Sequence, residues 1–124
     1  MSETAELTLI AAREGLAGTL LMNRPKALNA LTLEMIRAFA QAIDAWKNDA
    51  SVKLVVLEGA GGRAFCAGGD VRAVREAAIA GDAAAVEAFF SEEYAVNTGI
   101  ATFPKPWVSL IDGVCMGGGI GVAV

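Results

Sequence analysis

With 124 residues, 55% of them hydrophobic, the chain holds enough apolar material for one modest core and not for two domains. Its net charge of −4, with the few cations scattered among acids, leaves no basic face for nucleic acid, and Glu58, Asp70 and Asp112 break the apolar runs before the roughly 18 to 20 residues needed to cross a bilayer. It contains no histidine, which excludes a Ser-His-Asp triad and any histidine metal site from these residues.

The opening Met1-Ser2-Glu3-Thr4-Ala5-Glu6 carries acids where a secretory leader carries cations, so no export signal is expected. Two cysteines, Cys66 and Cys115, are too few for a disulfide framework and are expected to be reduced, in a soluble, cytoplasmic protein. Residues 6–12 and 15–22 predict a hairpin around Arg13-Glu14-Gly15, with Leu7, Leu9, Leu20 and Leu21 as core candidates. Asn23-Arg24-Pro25-Lys26 breaks the second strand. Thr32 then caps a helix predicted to run to about residue 47, whose apolar face is Met35, Ile36, Phe39, Ile43 and Trp46. Residues 52–58 predict a strand covered on both faces. Helices follow over 71–80 and 83–101, separated at Gly81-Asp82 and ended by Pro104-Lys105-Pro106. Residues 107–111 predict a further buried strand, Asp112-Gly113 a turn, and a glycine-rich run opens a last helix. The order is an α/β alternation. Its apolar end at Val124, with no C-cap signal, leads us to expect residues 1–124 to be the N-terminal part of one longer domain.

Two glycine clusters carry the chemistry: Cys66-Ala67-Gly68-Gly69-Asp70 and Met116-Gly117-Gly118-Gly119-Ile120-Gly121. Each follows a strand-like run and leads toward a helix. Glycine permits tight turns and close ligand approach, so such a pair can bring two exposed N–H groups to one point, the pattern of an oxyanion hole. Either cluster alone also reads as a plain strand-to-helix loop, with Asp70 as a helix cap. Consecutive glycines without a following Gly-Lys-Ser/Thr match neither a dinucleotide fingerprint nor a phosphate loop. Cys66, lacking a histidine to raise its thiolate fraction, reads as a small apolar filler. Glu92 and Glu93 point about 100° apart on a helix, so at least one faces solvent. Arg24 and Lys26 read as solvated surface, or as a grip on a phosphate.

In order and spacing, Asn23-Arg24-Pro25-Lys26-Ala27-Leu28-Asn29-Ala30-Leu31, Ala64-Phe65-Cys66-Ala67-Gly68-Gly69-Asp70, Pro104-Lys105-Pro106, Asp112-Gly113 and Gly117-Gly118-Gly119 resemble the crotonase (enoyl-CoA hydratase/isomerase) superfamily across essentially the whole chain. Gly68-Gly69-Asp70-Val71-Arg72, Phe89-Phe90 with Glu92-Glu93-Tyr94 and Asn97, and Met116 to Gly121 resemble its 3-hydroxyisobutyryl-CoA hydrolase branch. The resemblance implies an α/β spiral of ββα units, incomplete in this chain, that binds a bent acyl-CoA. It implies no metal or nicotinamide, with coenzyme A entering only as part of the substrate, and a homo-oligomer, either a trimer or a hexamer.

By the same resemblance, Lys26, Ala27 and Leu28 form the loop against coenzyme A, and Ala67 and Gly68 meet its adenine and pantetheine. Asp70, Val71, Met116, Gly117 and Gly121 also border the substrate, and the Gly69 and Gly118 N–H groups form the oxyanion hole. Hydratases of the superfamily place a glutamate two residues after the triple glycine, where this chain has Gly121. The implied reaction is therefore hydrolysis of a short 3-hydroxyacyl-CoA thioester, in fatty acid or valine catabolism, ahead of enoyl-CoA hydration or isomerisation. Its acid/base carboxylates are expected beyond Val124, which leaves this chain alone inactive, or a non-catalytic acyl-CoA-binding module.

Overall fold

A computed structural model describes residues 7–123. Strands β1 (Leu9–Glu14) and β2 (Ala17–Met22) form the expected antiparallel hairpin, with Leu9 opposite Met22 and Glu14 opposite Ala17. The predicted start of the first strand, Glu6, lies outside the described residues, as does the acidic opening. Side chains alternate along a strand, so β2 buries Leu20 and Met22 and leaves Leu21 half-buried, while Leu7 lies ahead of β1 and is exposed.

A single 3₁₀ turn (Pro25–Ala27) and two left-handed residues, Leu28 and Asn29, lead into helix α1 (Leu33–Trp46). The Thr32 hydroxyl accepts the Met35 N–H at 3.1 Å, and all five predicted face residues of α1 are buried. Each such large apolar side chain contributes about 1.5–3 kcal/mol through burial, which is what holds the helix on the sheet.

Strand β3 (Leu54–Gly59) pairs parallel to β2. Later in the chain, β5 (Trp107–Leu110) pairs parallel to β3, giving the order β1-β2-β3-β5. The expected burial of both faces is not found. In β3 only Val55 and Leu57 are fully buried, and in β5 Val108 is 40% and Leu110 49% exposed. The described sheet ends at β5, and no described helix covers that strand's outer face.

A second sheet consists of two short parallel strands, β4 (Ala64–Cys66) and β6 (Val114–Cys115). Sequence periodicity misses both, because two or three residues carry no period. Helices α2 (Val71–Ile79) and α3 (Ala83–Ala101) begin at Asp70 and Asp82, whose carboxylates accept the Arg72 and Ala85 N–H groups. Helix α3 packs on α1, with Gly99 against Ile43, and a two-pronged ion pair from Arg37 to Glu92 at 2.9 and 3.0 Å closes the outer side. Helix α4 (Gly118–Ala123) ends the described chain. Among the described residues, no helix is long and apolar enough to cross a membrane.

Candidate active site

Cys66 is the register partner of Cys115, so β4 and β6 end side by side and both glycine clusters leave from the same end of this small sheet. The Met116 N–H donates to the Cys66 carbonyl at 3.1 Å, continuing the pairing by one residue. The first turn of α4 then presses so closely on β4 that a Cβ at Gly119 would overlap the Cys66 carbonyl oxygen. Only glycine allows this approach.

The first cluster is held on its other side by the loop before α1. The Ala67 N–H donates to the Leu28 carbonyl at 3.0 Å, the Leu31 N–H to the Gly68 carbonyl at 2.8 Å, and the Asp70 N–H to the Leu31 carbonyl at 2.8 Å. The last two bonds define a parallel bridge between Leu31 and Gly69. In such a bridge, the residue flanked by the two bonding groups turns its own N–H and C=O to the opposite side. Gly69 therefore aims its N–H away from Leu31, and among the described residues no main-chain acceptor takes it. Gly118 opens α4, and the N–H of a first helical residue has no acceptor within its helix.

Two polar braces hold this loop. Asn29 is fully buried in the left-handed region at φ 57°. Its Nδ2 donates to the carbonyls of Ala60 at 3.0 Å and Ala64 at 2.9 Å, and its Oδ1 accepts the Arg24 N–H at 2.9 Å. Arg24 is not solvated surface. Its guanidinium donates to the Ala30 carbonyl at 2.7 Å and pairs with Asp70 at 3.2 Å, tying the loop to the residue after Gly69. Lys26 is exposed, as expected.

Beyond Gly69 stand Phe89 and Glu93 of α3: a Cβ added at Gly69 would lie 3.1 Å from the Phe89 ring and 3.5 Å from Glu93 Oε2. Glu93 is only 9% exposed, and burial raises the pKa of its carboxyl. Glu92, one residue earlier, is held below the usual carboxylate range by its hydrogen bond to Arg37. Burial also pushes the Cys66 thiol up to about 11, so it remains a thiol near neutral pH and serves as filler. Asn97, one turn after Glu93, approaches Gly121. The sequence reading gave neither Glu93 nor Asn97 a role. Their signal is positional, since they recur at four-residue steps from Phe89 on the face that buries Val96 and Ile100.

The structure thus joins Leu28 to Ala67, brackets Gly69 between Gly68 and Asp70, and brings Met116 and Gly119 against Cys66. Val71 and Met116 expose their side chains at the periphery, and Asp112 is exposed just ahead of a bend at Gly113. A separate recess of about 330 Å³ between α1 and α3, lined by Ile36, Ile43, Val96 and Phe103 among others, shares no residue with either glycine cluster. Among the described residues, no three His, Cys, Asp or Glu side chains group as metal ligands.

The family profile described as Enoyl-CoA hydratase/isomerase matches residues 17–124. A mitochondrial 3-hydroxyisobutyryl-CoA hydrolase of Xenopus tropicalis is 53% identical over 112 residues, 90% of this chain and 29% of the relative. That of Rattus norvegicus is 49% identical over 123 residues, 99% of this chain and 31% of the relative. Among solved structures, a carnitinyl-CoA dehydratase from Mycobacterium thermoresistibile superposes with a TM-score of 0.91 at 47% identity, over 94% of this chain and 34% of that one. An enoyl-CoA hydratase from Rhodobacter sphaeroides does so with a TM-score of 0.90 at 43% identity and the same coverage. The chain therefore spans about a third of the length of the proteins it matches. These relatives overturn the cytoplasmic expectation, since the hydrolases are named as mitochondrial. Unpaired cysteines distinguish oxidising from reducing surroundings, not one reducing compartment from another.

Proposed function

This chain belongs to the enoyl-CoA hydratase/isomerase family, and we propose that it is the oxyanion-stabilising, acyl-CoA-binding part of a hydrolase for short 3-hydroxyacyl-CoA thioesters. The orientation of the Gly69 N–H, turned away from Leu31 and taken by no described main-chain acceptor, carries this reading. The thioester carbonyl oxygen accepts from the N–H groups of Gly69 and Gly118, while Lys26, Ala27, Leu28, Ala67 and Gly68 border the coenzyme. Water adds to the carbonyl carbon and loses a proton to a carboxylate outside these 124 residues. The negative charge on the tetrahedral oxygen is met by two donors that need no reorganisation, and the C–S bond then breaks with its electron pair passing to sulfur. Glu93, beside Gly69, is a hydrogen-bond partner for the acyl group. The reading calls for no metal and no nicotinamide, coenzyme A being part of the substrate, and for assembly as a trimer or hexamer.

Loss of one such donor typically costs about 3–4 kcal/mol of transition-state stabilisation. Gly118→Val keeps the N–H but sets a branched side chain beside it that holds the oxyanion away, and in the full-length protein it is expected to lower kcat about 100- to 1,000-fold, more than it weakens binding. Release of free thiol from a 3-hydroxyacyl-CoA, followed with a thiol reagent, measures this directly, and an unchanged kcat refutes the oxyanion assignment. Cleavage confined to the longer protein, with none from residues 1–124, is expected. Hydration of a 2-enoyl-CoA without thiol release would reassign the chemistry to a hydratase.

A further inference from the structure

The inner side of α3 carries two polar side chains one turn apart. Glu93 lies beside Gly69, and Asn97 lies beside Gly121: a Cβ at Gly121 would stand 2.8 Å from Asn97 Oδ1 and 2.9 Å from both Cγ and Nδ2. The carboxamide therefore lies flat across the bare Cα, and any side chain at that position would displace it. Gly121 follows Gly118 by three positions in α4, and residues so spaced share a helix face. The carboxamide thus lies against Gly121, one of the residues expected to border the substrate, on the same helix as Glu93. Asn97 Oδ1 is buried and accepts no hydrogen bond among the described residues. A buried acceptor in that state is destabilising, and a donor supplied by a bound group would relieve it.

We infer that Asn97 is a specificity-determining residue, its Oδ1 accepting the hydrogen bond of the hydroxyl on the substrate's acyl group. This rests on the reading of the cleft as an acyl-CoA site. A hydroxyl has one hydrogen to donate and lone pairs to spare, so it satisfies Asn97 Oδ1 and leaves its own oxygen free to accept a second hydrogen bond. An acyl group without the hydroxyl leaves Oδ1 unpaired and binds less well.

The test compares a short 3-hydroxyacyl-CoA with the same acyl-CoA lacking the hydroxyl, each carrying a methylene in place of the thioester sulfur so that neither is hydrolysed. Calorimetry on the full-length protein is expected to show the hydroxyl-bearing analogue bound about 10-fold more tightly. Asn97→Leu, close in size but with no acceptor, loses that preference and binds the deoxy analogue as the wild type does. Asn97→Ala serves the same purpose if the leucine variant does not fold. A preference that survives both substitutions, or a wild type that shows none, overturns the inference. If the preference depends on Asn97 but the wild type cleaves no thioester, the hydrolase reading fails and the assignment of Asn97 holds.

Discussion

Burial gives two adjacent carboxylates of α3 opposite behaviour. Glu92 is half-buried and hydrogen-bonded to Arg37, which holds its carboxyl low; whatever it contributes is present above the ordinary value of 4.5 and fades as pH falls. Glu93 is raised by desolvation, so the folded state holds its proton more tightly than the unfolded chain does. Its contribution is therefore complete below 4.5 and is lost as pH rises through the folded value. Near pH 7 the buried carboxyl is a burden, and Glu93→Gln is expected to raise the thermal midpoint there, with the gain shrinking toward about pH 4.5. Thermal unfolding across that range decides the point, and a gain independent of pH would mean that Glu93 is solvated. Retaining such a residue against its stability cost is what a site requires and a core does not.

Between elements, the decisive contacts are polar and run from the loop after β2 to the strands around the first glycine cluster. Asn29 joins Arg24 to both Ala60 and Ala64, so one side chain sets the separation of the loop from the end of β3 and the start of β4. Asn29→Ala strands a buried N–H and two carbonyls and is expected to cost about 2–4 kcal/mol. Denaturant unfolding measures that loss, and an unchanged midpoint would show that water replaces the amide. Helix caps and the apolar stripe of α1 were legible in the sequence because they depend on residues within one or two turns. Strands β4 and β6 were not, since each is defined by a partner some fifty residues away. Arg24 looked like surface for the same reason: its acceptor, Asp70, is remote in sequence.

For the molecule as a whole, the exposed apolar side chains of Val108, Leu110, Ile111, Val114 and Met116 gather along β5 and β6. The matched relatives are about three times as long, and the proposed longer domain would cover this strip. Residues 1–124 alone are accordingly expected to bind an apolar fluorescent dye strongly and the full-length protein weakly. Equal binding would make the strip native surface. The sequence by itself determined the family, the order of the longer helices and strands, the caps at Thr32 and Asp70 and the two glycine clusters, because these follow from local spacing and from motifs held in one stretch of chain. Only the tertiary structure decided which way the Gly69 N–H points, that Glu93 and not Glu92 is buried, and that Asn97 lies on Gly121. Direction and burial are relations between distant segments, and one-dimensional periodicity does not encode them.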